Sequence, residues 1–160
     1  MRMLYRRTTP AEVLELERDP DLAAHLLADG PDDRLLALGR AWHGVHFLLN
    51  GSAWGGVGPA FDAVLGGRRL GDPTTYEPVR LLTPDEVVAV AAHLAGQTPQ
   101  VVTPRFTHRA AQQAELYPDD AYREPDVLSV FLLPALARLA TFVERAAGAG
   151  DALLVQLQRD

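Results

Sequence analysis

A chain of 160 residues, 48% apolar and 22% charged, has the size and composition of one folded domain and not of a disordered segment. Its formal net charge of −6, with no run of basic residues, argues against nucleic acid or an anionic membrane surface as the main partner. There is no cysteine and no lysine, all 15 basic side chains being Arg, which excludes disulfides, thiol nucleophiles, Cys-ligated metals, Schiff-base catalysis and the phosphate-loop lysine.

Met1 to Arg7 alternates loosely and predicts a first strand. This N-terminal stretch lacks the apolar core of a signal peptide, and no apolar run approaches a membrane span, so the expected location is the cytoplasm. Thr9 followed by Pro10 and Glu12 predicts a helix start, with the helix running to Arg18 and a second one restarting after Asp19-Pro20-Asp21 through Ala28. Asp29-Gly30-Pro31 predicts a break.

The stretch from Asp33 to Gly51 organises the rest. Leu35, Leu38, Trp42, Val45 and Leu49 recur at spacings of three and four, which predicts one long buried helix capped by Asp32 or Asp33 and closed by Gly51. Gly39 and Gly44 inside it imply that a neighbouring backbone or ring approaches closely there. A glycine-rich loop from Gly51 to Gly58 follows, then a short helix from Pro59 to Leu65 and an irregular stretch from Arg68 to Pro78. Val79 to Leu82 predicts a short strand. Thr83-Pro84-Asp85-Glu86 is a capping box opening a helix through Ala95, with Val87, Val90, Ala91 and Leu94 facing inward.

Thr98-Pro99 and Thr107-His108 start two shorter helical pieces, and Leu116 to Asp120 predicts a turn. An apolar helix runs from Pro125 to Ala147 with Pro134 inside it, predicting a kink near Val130 to Leu133. Ala152 to Gln158 predicts a final strand. The expectation is a single α+β domain over residues 1–160, a small mixed sheet of N-terminal, middle and C-terminal strands packed by helices around a central buried helix.

The motifs also resemble a known family, the YfbM-like bacterial proteins, a domain of unknown function. The resemblance runs almost end to end. It rests on the opening Met-x-Met strand, Asp19-Pro20-Asp21-Leu22, the stretch from Trp42 to Leu49 (WHGVHFLL), Ala63 to Gly67 (AVLGG), Leu81 to Val87 (LLTPDEV), Leu116-Tyr117-Pro118, and Gly150 to Val155 (GDALLV). The Trp-His-Gly-x-His element is the most specific of these. Asn50 stands where the family often has Thr. The resemblance implies an α+β fold and a cytoplasmic protein, and it carries no established activity.

Three constellations can carry chemistry. His43 and His46, spaced i, i+3 beside Trp42, can ligate a metal or act as an acid–base pair; as structural residues they tie a ring nitrogen to a backbone carbonyl or a carboxylate. No third ligand accompanies them in a motif, and His25, His93 and His108 stand in unrelated settings. No metal or cofactor is therefore expected. Tyr76 and Glu77 in the irregular stretch can approach the pair.

The glycine-rich loop is the second. It follows a helix and has neither GxGxxG nor GK[ST], so the nucleotide motifs fail, but Trp54 among glycines reads either as an interface anchor or as a ring folded over the core. The third is Glu115, Tyr117, Asp119 and Asp120, followed by Tyr122, Glu124 and Asp126, which can grip a basic partner or form an ordinary turn. The two serines, Ser52 and Ser129, lie outside any GxSxG element.

The leading expectation is a non-enzymatic protein-binding or accessory module, a toxin-neutralising role being one form of it, without nucleic acid or membrane. The alternative is a small-molecule-binding protein or enzyme with a pocket around Trp42, His43 and His46, with Tyr117 or Glu115 opposite. A homodimer through apolar surface on the Pro125 to Ala147 helix is a further expectation.

Overall fold

The computed structural model describes residues 1–28, 32–72 and 77–159. Strand β1 (Arg2–Thr8) opens the chain and strand β5 (Ala152–Gln158) closes it, and the two pair antiparallel along their whole length, from Arg2 opposite Gln158 to Thr8 opposite Ala152. β2 (Leu35–Gly39) adds to the other side of β1; β4 (Arg80–Leu82) adds to β5, and the two-residue β3 (Arg68–Arg69) adds to β4. The order is β2-β1-β5-β4-β3 and every pairing is antiparallel, where a mixed sheet was expected. The three expected strands are present; β2 and β3 were not foreseen.

Side chains alternate across the strands and so feed two cores. Met3, Tyr5, Leu82, Leu153 and Val155 face the larger one, under helices α3 (Trp42–Asn50), α5 (Pro84–Ala95) and α8 (Leu133–Ala149). Leu81, Ala152 and Leu154 face the smaller one, closed by Leu16 of α1 (Pro10–Arg18) and by Ala23 and Leu27 of α2 (Leu22–Ala28). Both capping boxes form: the Thr9 and Thr83 hydroxyls accept from the Glu12 and Glu86 backbone N–H groups, and each Glu reaches back to its cap. Thr107 caps α7 (His108–Gln113) by accepting from Ala110 N–H, whereas Thr98 makes no such bond at α6 (Pro99–Val102).

The long central helix divides. Asp32–Arg34 is a 3-10 turn, Leu35 and Leu38 belong to β2, and only Trp42–Asn50 is helical, so the helix starts at Ala41 and not at the expected Asp32 or Asp33. Gly39 ends the strand at φ +65°, a left-handed backbone with open space around it, and Gly51 closes α3 at φ +68°. Within those shortened bounds the helix is as central as expected, every residue from Trp42 to Leu49 being buried. The Pro134 irregularity is a π-helical stretch, Leu128–Leu132, running into α8. A wider turn there lets the chain pass a ring that has no N–H to give and would press on the carbonyl four residues back. The apolar stripe of α8, from Ala135 through Leu139 to Ala146, lies inside the larger core. Asp29, Gly30, Pro31 and Tyr76 lie outside the described residues. Among those described, no helix is long and apolar enough to cross a membrane.

Candidate functional site

Helix α3 starts in the interior without a local capping side chain: its N-cap, Ala41, has none to offer. The cap comes from far along the chain. The buried Tyr122 hydroxyl takes a hydrogen bond from the Gly44 N–H and donates to the Tyr117 carbonyl at 3.3 Å. Burial pushes the Tyr122 phenol well above its ordinary pKa, so the hydroxyl keeps its proton. A Cβ at Gly44 would stand 2.5 Å from both the Tyr122 oxygen and Leu132 Cδ2, which is the close approach anticipated at this glycine.

His43 is buried with both ring nitrogens engaged. Nδ1 accepts the Tyr117 backbone N–H at 3.0 Å, so the proton must sit on Nε2, which donates to the Ala53 carbonyl at 2.9 Å. The ring stacks on the Trp42 indole, centroids 4.5 Å apart and planes 9° from parallel. His46 repeats the pattern one turn on. Its Nε2 meets the Gly55 carbonyl at 3.0 Å, Nδ1 meets the Asn50 amide nitrogen at 3.3 Å, and the ring sits edge-on to Phe61 of α4 (Gly58–Asp62). Asn50 Nδ2 also donates to the His46 and Ala60 carbonyls at 3.1 and 2.9 Å, tying α3 to α4.

Burial is the larger influence on both imidazoles and pushes their pKa below the ordinary histidine value, against the carbonyl contacts, which raise it; the two rings also repel each other's charge at His46. The rings are therefore neutral near pH 7 and hold the loop 51–58 by its carbonyls. That polarity is opposite to an anion cradle, which needs N–H groups pointing inward. The Gly55 N–H is itself engaged by the Ser52 hydroxyl at 2.9 Å. Gly56, at φ +151°, leaves 2.1 Å between a notional Cβ and Asn50 Oδ1, so no larger residue fits against the staple.

The loop puts Trp54 at the surface. Its indole leans on the same stack, 4.5 Å from the His43 ring and 5.7 Å from Trp42, yet remains 59% exposed, and Val57 of the same loop is 86% exposed. Trp42 is wholly buried, and its Nε1 has no acceptor among the described residues, so this indole serves the core by area and shape.

Of the other expected site residues, Tyr117 is brought in through its backbone, while its hydroxyl faces the chain's own cations: the Met1 amine at 2.6 Å and Arg40 Nε at 3.0 Å, with the Arg40 guanidinium 5.2 Å from the ring centre. The peptide bond between Tyr117 and Pro118 is cis, and exposed Glu115 just before it has φ +53°. Asp119 pairs with Arg123 at 2.6 Å on an exposed 3-10 turn, and Asp120, Glu124 and Asp126 are exposed. Glu77 does not join the imidazoles: its carboxylate accepts the Arg159 N–H and its carbonyl accepts from Gln156. Among the described residues, no group of three or more His, Asp or Glu is placed to hold a metal ion.

Sequence reasoning named Trp42, His43, His46 and Trp54 but missed Tyr122 as the cap and Asn50 as the tie. Both act across distances in sequence or through carbonyls that every residue carries, so neither leaves a motif.

No curated protein matches the sequence. Among solved structures, the crystal structure of YfbM from Escherichia coli, described as a protein of unknown function, superimposes with a TM-score of 0.77 at 19% identity, covering 99% of this chain and 100% of that one. At that identity the likeness shows a shared fold. The profile of the domain of unknown function DUF1877 matches residues 1–156, and the chain belongs to that family.

Proposed function

We propose that this protein is a non-enzymatic binding module whose contact surface centres on Trp54 in the loop 51–58. The observation that carries the reading is that a large, mostly exposed indole sits on a loop whose flanking carbonyls, Ala53 and Gly55, are each held by a buried neutral imidazole. Trp is among the residue types enriched as strong contributors to protein interfaces, and a loop already held in place loses little conformational entropy on binding. The two histidines then act as the loop's fastening. The engagement of both His43 nitrogens and of His46 Nε2 with backbone groups supports this over a catalytic or ligand pocket around Trp42, His43 and His46, because those three atoms have no lone pair or proton left for a substrate. A toxin-neutralising role is one form such an accessory module can take.

The test is affinity capture from the native host with the intact chain and Trp54→Ala side by side. A single stoichiometric protein retained by the first and lost by the second supports the reading. A partner retained equally by both, or none at all, overturns it.

A further inference from the structure

A second surface lies along the β2 end of the sheet. β2 is an edge strand: Leu35, Leu36 and Ala37 pair in regular register with Arg6, Tyr5 and Leu4 of β1, and among the described residues no strand covers their other side. Between this edge and α8 runs an open groove of about 390 Å³, floored by Leu35, Leu36 and Phe142 and rimmed by Arg138 and Arg145. A groove between a sheet edge and a helix is the geometry in which an extended peptide adds as a further strand, main-chain hydrogen bonds supplying affinity and alternate side chains specificity.

The charges select the occupant. The chain carries a net −6, yet Arg138 and Arg145 line this groove against one carboxylate, Asp33. Among the described residues neither guanidinium is paired with a carboxylate; Arg138 makes only a long 3.5 Å contact to the Ala37 carbonyl of the edge strand. Seven residues apart on one helix, the two stand about 10 Å apart along its axis. Acidic side chains two positions apart on an extended segment recur on one face about 7 Å apart, within reach of both flexible arginines. We propose that the β2–α8 groove binds an extended acidic peptide segment of a partner protein as a sixth strand, Arg138 and Arg145 gripping its carboxylates. This site is independent of the Trp54 loop.

The probe is a soluble peptide of about ten residues alternating Thr and Glu, with Thr/Gln and Thr/Lys versions as controls, followed by fluorescence anisotropy on the full chain and by amide shifts in ¹H–¹⁵N spectra. The Thr/Glu peptide should bind about tenfold or more tighter than Thr/Gln and move the amides of Leu35 to Gly39. The Arg138→Glu/Arg145→Glu protein should lose at least about tenfold in affinity, and Trp54→Ala should lose none. If circular dichroism shows the double variant misfolded, exposed Arg145→Gln replaces it, with a smaller loss expected. Absence of Thr/Glu binding at about 1 mM, equal binding of Glu and Gln peptides, or shifts confined elsewhere overturns the proposal. So does light scattering that shows a dimer broken by the arginine variants, since the groove then holds a second copy.

Discussion

His43 Nδ1 accepts the backbone N–H of Tyr117 from 74 positions away at 3.0 Å, and this one bond fixes the tautomer of the ring. With Nδ1 occupied as an acceptor, Nε2 must carry the proton and must donate, and the Ala53 carbonyl is where it does so. A residue type chosen elsewhere for its readiness to change charge is here locked in one neutral tautomer and serves as a two-ended connector.

Removing the connector should cost stability at both ends. His43→Ala leaves the Tyr117 N–H and the Ala53 carbonyl without their partner and opens a space beside Trp42, so a loss of about 3 kcal/mol is expected in denaturant unfolding. Limited proteolysis should cut the loop 51–58 sooner than in the parent.

The pH dependence has a definite sign. Both imidazoles have folded-state pKa values below the unfolded one, so the unfolded chain binds protons first as pH falls. Their contribution is complete above about pH 6.5 and is lost as pH falls from there through the folded values. Glu12 adds a second loss lower down. Burial alone would raise its pKa, but hydrogen bonds from Thr9 and Arg6 outweigh it and hold it below the usual carboxylate range, so its stabilisation disappears as pH falls below about 4.5. Urea midpoints between about pH 8 and pH 3 should decline in those two windows, and the upper one should vanish in a His43/His46 double variant that still folds.

Gly44→Ala inserts a methyl group into a 2.5 Å gap between Leu132 and the Tyr122 hydroxyl. Helix propensity favours the change by about 1 kcal/mol, but overpacking of this kind costs about 1–3 kcal/mol and displaces the cap of α3. Thermal unfolding should show net destabilisation; an unchanged or higher Tm would mean that the hydroxyl does not sit there.

The entry to the smaller core should be equally sensitive. Asp151, with a side chain 5% exposed, receives Arg7 Nε at 2.9 Å, while Arg34 spans Asp151 and Glu12, and Arg6 meets Glu12 at 2.7 Å. Asp151→Asn removes a buried carboxylate and should cost about 1–3 kcal/mol in denaturant unfolding, because Arg7 loses its charged acceptor while Arg34 keeps Glu12. Asp119→Asn, which breaks the exposed pair with Arg123, should change stability by less than about 1 kcal/mol.

What the sequence revealed and what it hid follow from the range of each interaction. Thr9 and Thr83, with the Glu three residues on, state their helices locally, and the bounds of α1, α5 and β5 were legible for that reason. The Asp33 to Gly51 stretch misled because the leucines of β2 happen to fall in phase with the stripe of α3, while the true break at Gly39 and the cap from Tyr122 are a left-handed backbone and a contact 78 positions away. The buried state of His43 and His46 was one of two open readings, and only the loop's carbonyls decided between them. Exposure of Trp54 was likewise even in the sequence, since a ring among glycines can fold either way.

The role of the two imidazoles is open to direct observation in a long-range ¹H–¹⁵N spectrum of the histidine side chains, followed from pH 8 downward. Both rings should show a protonated Nε2 and an unprotonated Nδ1 near neutral pH and should titrate below the ordinary histidine value. Either ring titrating at the ordinary histidine value, or carrying its proton on Nδ1, would contradict their reading as fasteners of the Trp54 loop.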